Sequence, residues 1–145
     1  LIGANIFGYF LALSQIPEWL LQRVSLLGTN RYLVLGTVCA VYIFLGCLME
    51  GLAIMVITMP VVYPVMMNLG FDPIWFGILI VVVVEIGLIS PPVGMNLFVL
   101  NALLPEVPTK TIFRGVLPFM LADVVRLGIL IAFPVISLYL PSLMK

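Results

Sequence analysis

The sequence predicts an all-α, polytopic membrane protein that contains a helical hairpin and a helix broken near its middle. Three observations carry the prediction. First, 64% of the 145 residues are hydrophobic and only 8% are charged, with a mean hydropathy of +1.34. Soluble domains carry roughly a quarter charged residues, and a chain of this length has too little interior to hide so much apolar surface from water. Second, the six basic and six acidic residues are spaced so that long uncharged runs lie between them. Third, one apolar run is interrupted by Ser90-Pro91-Pro92-Val93-Gly94.

Composition also excludes functions. The net charge is zero, so there is no basic patch for nucleic acid and no polybasic arm for anionic lipid. Histidine is absent, which removes the commonest metal ligand and general base. Cys39 and Cys47 lie in an apolar run and read as small packing residues. The chain opens with Leu1 inside an apolar stretch, and no basic start with a short apolar core and cleavage site precedes it. It therefore reads as the carboxy-terminal portion of a longer membrane chain.

The elements follow in order. Leu1 to Pro17 is uncharged and reads as the end of a membrane helix. Glu18 to Arg31 carries charge at Glu18, Arg23 and Arg31, with Trp19, Leu20, Val24 and Leu27 between. That pattern suits an interfacial helix anchored by Trp19; a loop with one helical turn is the plainer alternative. Leu33 to Met49 gives 17 uncharged residues and Gly51 to Phe71 gives 21, separated only by Glu50. A full span needs about 20 residues at roughly 1.5 Å each. This stretch is therefore either two spans joined by a very tight turn or a re-entrant hairpin whose tip stops inside the membrane. The second is favoured, because a tip at the far surface would recruit more polar residues than Glu50 alone.

Asn68-Leu69-Gly70-Phe71-Asp72-Pro73 reads as a turn, with Asp72 capping a helix that starts at Pro73. Phe71 to Leu104 is 34 residues, too long for one helix. Pro91 and Pro92 each remove a backbone donor and clash with the preceding turn. Ser90 is pushed towards extended geometry by the proline after it, and Gly94 adds freedom to turn. A break is therefore expected at 90–94. Pro105 to Lys110 reads as a polar loop, and the last span runs from about Gly115 to Leu140.

Interrupted helices at membrane depth point to transport. Every unpaired backbone group in hydrocarbon costs several kcal/mol, so a break survives only where protein, water or ligand satisfies it. Freed carbonyls suit Na+ and half-helix amino ends suit anions. The candidates are the Glu50-Gly51 tip and the 90–94 break, with the Ser90 hydroxyl, the carbonyls around it and the Asn96 amide. The plainer reading of Pro91-Pro92 is a kink packed by neighbours. Glu50 and Glu85 are candidates because an acid inside a span must find a partner. Asp123 and Arg126, at i and i+3, read as a structural pair, and Lys110 and Arg114 as markers of a membrane surface.

The run from Gly46 to Gly77, followed by Glu85-Ile-Gly-Leu-Ile-Ser-Pro-Pro-Val-Gly-Met-Asn-Leu-Phe-Val99, resembles the large membrane subunit of tripartite ATP-independent periplasmic (TRAP) transporters, the DctM-like family. The resemblance extends from Ala4 to about Pro141. Ser90 stands where the family more often has Thr, and both supply a hydroxyl. The resemblance implies an elevator-type, Na+-coupled symporter built from two inverted repeats, of which this would be the second. Residues 1–32 would be a scaffold helix end and interfacial arm, 33–69 the re-entrant hairpin, 70–104 the discontinuous helix of the transport domain, and 105–145 a loop and last scaffold helix.

The resemblance further implies one Na+ site between the tip (Gly46, Met49, Glu50, Gly51) and the break (Ser90, Pro91, Pro92, Val93, Gly94, Met95). Ser90, Gly94 and Asn96 would face the substrate. No cofactor is expected beyond Na+ as coupling ion. The implied partners are a small DctQ-like membrane subunit, a DctP-like periplasmic binding protein, a carboxylate such as a four-carbon dicarboxylate or sialic acid, and lipid; the implied place is the bacterial inner membrane. A proton- or Na+-coupled carrier working without a binding protein, and a non-transporting scaffold subunit, are the alternatives. An intramembrane hydrolase is disfavoured, since Asp72 and Asp123 are the only Asp residues and no Lys lies in the apolar spans.

Overall fold

The computed structural model describes residues 2–15, 18–19, 22, 30–90 and 94–143. Among these, regular structure is entirely helical: α1 (Ile2–Leu13), α2 (Arg31–Leu48), α3 (Gly51–Asn68), α4 (Pro73–Ile89), α5 (Met95–Leu103), α6 (Thr109–Ala132) and α7 (Val135–Leu143). Helices α2, α3 and α6 are long and apolar enough to cross a membrane, at about 27 Å for the first two and about 36 Å for α6. Most of the expected interfacial helix, 20–21 and 23–29, lies outside the described residues, although Trp19 is exposed and Glu18, Trp19 and Gln22 are helical.

Helices α2 and α3 form an antiparallel hairpin centred on Glu50. Tyr42, eight residues before Glu50, hydrogen-bonds through its hydroxyl to Thr58, eight residues after it. Thr58 Oγ1 donates its own proton to the Ile54 carbonyl at 2.8 Å, so Tyr42 is the donor in that pair. Asn30 opens α2 by accepting the Tyr32 N–H at 3.0 Å. Pro60 and Pro64 lie inside α3 without ending it. Gly8 of α1 is buried where a Cβ would stand 3.1 Å from the Pro60 ring, so α1 packs onto α3 at that proline.

The turn from α3 into α4 has the geometry the sequence predicts. Gly70 is left-handed (φ +81°), its N–H bonds to Met67 O at 3.0 Å and the Phe71 N–H to Met66 O at 3.4 Å. Those are the two bonds of a Schellman cap. Asp72 then caps α4, and Pro73 takes its first position.

Helix α4 is the core of the chain. It packs chiefly on α2 and α6. Phe76, Leu79, Ile80 and Val83 are fully buried, with Leu35 and Tyr42 from α2 and Ile54 and Met66 from α3 around them. Beyond Pro73 at its start, the exposed residues of α4 are Ile74, Ile78, Val81 and Glu85, which form one stripe. A helix apolar on nearly every face is one buried on nearly every face. The break is present: α4 ends at Ile89, Ser90 and Gly94 are both non-helical, and α5 begins at Met95.

The last span differs from the expectation of Gly115 to Leu140. Helix α6 starts six residues earlier, at Thr109, because Lys110 and Arg114 mark a polar surface but do not oppose helix. It stops at Ala132, because Pro134 has no N–H and its ring blocks the turn before it. Phe133 is accordingly non-helical (φ −125°, ψ 73°), and α7 starts afresh at Val135.

Candidate functional site

The hairpin tip meets the break in α4 through glycine. A Cβ on Gly87 would stand 2.7 Å from the Ile43 carbonyl and 2.8 Å from Gly46 Cα; one on Gly46 would stand 2.9 Å from Gly87 Cα. The backbones of α2 and α4 therefore cross in direct contact, an approach that small residues alone permit between apolar helices. Gly51 is likewise buried, its absent Cβ falling 2.8 Å from Val84 Cγ1. One turn beyond the crossing, the Cys47 thiol reaches the Ser90 carbonyl at 3.5 Å. The end of the hairpin is thus held against the end of α4, and α2 also touches α5.

The tip itself is a tight connection. Met49 and Glu50 are extended, with Met49 N–H bonded to Leu45 O at 2.9 Å. Glu50 caps α3 with both carboxylate oxygens, one accepting Leu52 N–H at 2.9 Å and the other Ala53 N–H at 3.0 Å. Its carbonyl accepts the Ile54 N–H at 3.1 Å. The negative charge therefore sits on the positive end of a helix, a favourable placement.

At the break, Ser90 is buried. Its hydroxyl donates to the Ile86 carbonyl at 2.6 Å and its N–H to the Gly87 carbonyl at 3.1 Å. The donated proton leaves the lone pairs of Oγ available to a cation. Gly94 opens α5 in the left-handed region (φ +52°), with its carbonyl accepting from Leu97 and Phe98. A Cβ there would lie 3.0 Å from Leu97 Cδ1 and 3.1 Å from the Ser90 carbonyl, so the two ends of the break stand against each other. No side chain among the described residues caps α5. The two helix amino ends at the junction therefore differ: that of α3 is capped by the Glu50 side chain, and that of α5 is capped by no side chain among the described residues.

Of the sequence candidates, Gly46, Gly51, Ser90 and Gly94 meet at this junction and are buried. Met49 and Glu50 cap its rim and are exposed, Met95 is half-buried, and Asn96 is exposed on the first turn of α5. Pro91, Pro92 and Val93 lie outside the described residues. Gly87, Val84 and Cys47 also belong to the junction. Their signal was a small residue in each of two apolar helices, which names a contact only once the helices are known to cross.

Glu85 does not join the junction. It lies on the exposed stripe of α4, 2.9 Å from Arg126, which is also 3.0 Å from Asp123. The expected Asp123–Arg126 pair thus gains a third member and ties α4 to α6. Trp75 makes a second tie, its indole N–H donating to the Leu130 carbonyl at 2.8 Å.

Residues 1–136 match the family model for the DctM component of the tripartite ATP-independent periplasmic transporter. The C4-dicarboxylate TRAP transporter large permease of Pseudomonas aeruginosa is 40% identical over 140 residues, 97% of this chain and 33% of that protein. The sialic acid large permease of Vibrio cholerae is 32% identical, covering 98% and 33%. The ectoine large permease of Halomonas elongata is 31% identical, covering 96% and 32%. The chain spans about a third of the length of these relatives.

Proposed function

The chain belongs to the DctM family of tripartite ATP-independent periplasmic transporters, and on that premise we propose that it is the carboxy-terminal part of a Na+-coupled permease importing a carboxylate. In this reading the bacterial inner membrane holds the permease, a small membrane subunit supports it, and a periplasmic binding protein delivers the substrate. The hairpin α2–α3 is re-entrant and moves with α4 and α5 as an elevator. Relatives named for C4-dicarboxylate, sialic acid and ectoine transport support a small organic acid or zwitterion as cargo.

The observation that carries the proposal is the hairpin tip packed through Gly46 and Gly87 against the end of α4, beside a break whose flanks Ser90 and Gly94 are buried. An interrupted backbone in a bilayer needs its freed polar groups satisfied by protein, water or ligand. The carboxyl end of α4 presents carbonyls and the Ser90 hydroxyl, a hard-oxygen set suited to Na+. The amino end of α5, which no described side chain caps and which carries Asn96 on its first turn, suits the substrate carboxylate. Glu50 serves by occupying the α3 amides, which leaves α5 as the anion-attracting end and fixes the tip.

The test is uptake by the full-length permease with its small subunit and binding protein in proteoliposomes, with a panel of radiolabelled organic acids. Uptake of one of them should require an inward Na+ gradient and the binding protein. Equal uptake from a proton gradient alone, or without the binding protein, would overturn the reading. Gly94→Leu, strained at φ +52° and facing Leu97 and the Ser90 carbonyl, should abolish uptake while membrane insertion persists.

A further inference from the structure

At the opposite end of the hairpin from the tip, a cavity of about 150 Å³ is lined by Arg31, Tyr32, Phe71, Asp72, Trp75 and Pro134. The first turn of α2, the Schellman turn after α3 and the first turn of α4 converge there. This end lies at a membrane surface whichever way the hairpin runs: a spanning pair has both ends at a surface, and a re-entrant pair has its open end there. The lining has the composition of that depth, with aromatic rings and single charges.

The aromatic side chains are locked to one another. Phe71 stacks on Trp75 with centroids 5.4 Å apart, and Tyr32 meets Phe71 edge-on at 6.1 Å. The Arg31 guanidinium lies 5.0 Å from the Tyr32 ring centroid and 5.7 Å from that of Phe71. It donates a hydrogen bond to the Tyr32 hydroxyl at 3.3 Å. Asp72 caps α4 through one oxygen alone: Oδ1 accepts from both Ile74 and Trp75, while Oδ2 accepts from none of the described residues. The ion pairs among the described residues are those of Arg126, so Arg31 and Asp72 are not paired with each other. One guanidinium and one carboxylate oxygen therefore line the same cavity, each with hydrogen-bonding capacity left, over an aromatic floor.

We propose that this cavity is a binding site for a zwitterionic phospholipid headgroup carrying a primary ammonium. Arg31 would hold the phosphate, in the manner of guanidinium–phosphate pairing. Asp72 Oδ2 would accept from the ammonium. The acyl chains would descend along the exposed apolar side chains below, Leu33 on α2 and Ile74 on α4. A trimethylammonium headgroup cannot donate to Asp72, and the Phe71 ring is already engaged by Arg31 and Trp75, so choline lipids bind less well. An anionic headgroup would leave Asp72 facing negative charge.

Native mass spectrometry of the full-length permease with its small subunit tests this, using phosphatidylethanolamine, phosphatidylcholine and phosphatidylglycerol as probes. Wild type should retain the ethanolamine lipid about tenfold over the choline lipid, the size of one charge-assisted hydrogen bond. Asp72→Asn keeps the helix cap, since Asn caps as well as Asp, and should bring that ratio close to one. Arg31→Gln should lower retention of both lipids about tenfold. An unchanged ratio in Asp72→Asn, or unchanged retention in Arg31→Gln, would overturn the proposal. Displacement of the lipid by millimolar inorganic phosphate would also overturn it, in favour of a soluble anion.

Discussion

Two helices in this chain are interrupted next to proline, and they are interrupted differently. Between α4 and α5 the flanking residues Ser90 and Gly94 are buried, and the hairpin tip lies against them through Cys47 and the Gly46–Gly87 crossing. Between α6 and α7 the interruption is exposed on the chain's surface, with Phe133 and Val135 more than half accessible. There the backbone closes on itself: Phe133 N–H bonds to Ile129 O at 2.8 Å, and the Phe133 and Pro134 carbonyls accept from Ile136, Ser137 and Leu138. Proline alone does not make a site. Pro60, Pro64 and Pro118 do not even end their helices. What distinguishes 90–94 is a second element, the hairpin tip, brought against the buried residues that flank the interruption.

That contrast can be broken in several ways. The largest effect should come from Gly87→Leu. Its Cβ would fall 2.7 Å from the Ile43 backbone carbonyl, an atom that cannot swing aside, so α2 and α4 must separate. Overpacking of this kind costs about 1–3 kcal/mol, and separation removes the tip from the break. Uptake by the full-length permease should be lost at normal expression, and wild-type uptake would show that the crossing does not shape the site.

A smaller effect is expected from Ser90→Ala. The Ile86 and Gly87 carbonyls lie in the helix end and the fold should persist. Loss of one oxygen ligand should raise the Na+ concentration for half-maximal uptake about tenfold, the scale of a hydrogen bond to a charged group. An unchanged Na+ response would remove the hydroxyl from the ion's shell. Pro134→Ala should have the smallest effect. It allows α6 to run into α7, and uptake should stay within about twofold, because a surface change usually shifts energies by about 0.5 kcal/mol or less. Loss of transport in Pro134→Ala would erase the distinction between the two interruptions.

The sequence carried local features well. Asp72 and Pro73 announced the start of α4, Gly70 the end of α3, and Pro91-Pro92 with Gly94 the break, because each rests on backbone chemistry within a few residues. Contacts between elements were less legible. Helix α4 is apolar on almost every face, so periodicity could not say which face meets α2, and Gly87 stood out no more than Gly77, whose missing Cβ faces open space. Glu85 was a candidate because an acid inside a span must find a partner, and it lies five residues before Ser90. Five residues on a helix of 3.6 per turn turn it well away from Ser90, and it points to Arg126 instead. The early start of α6 was missed because charged residues were read as loop, whereas helix ends follow capping and proline more than charge.

The central claim is that a cation occupies the junction of tip and break, and native Cys47 reports on it directly. Its thiol is buried against the Ser90 carbonyl, so a reagent reaches it only when the tip lifts. With Cys39, also buried, changed to Ala, alkylation of Cys47 by a membrane-permeant maleimide should be followed in the full-length permease with and without Na+. At Na+ roughly ten times its dissociation constant, labelling should slow about tenfold, with no slowing in K+ or choline. Equal rates in all three salts would contradict the claim.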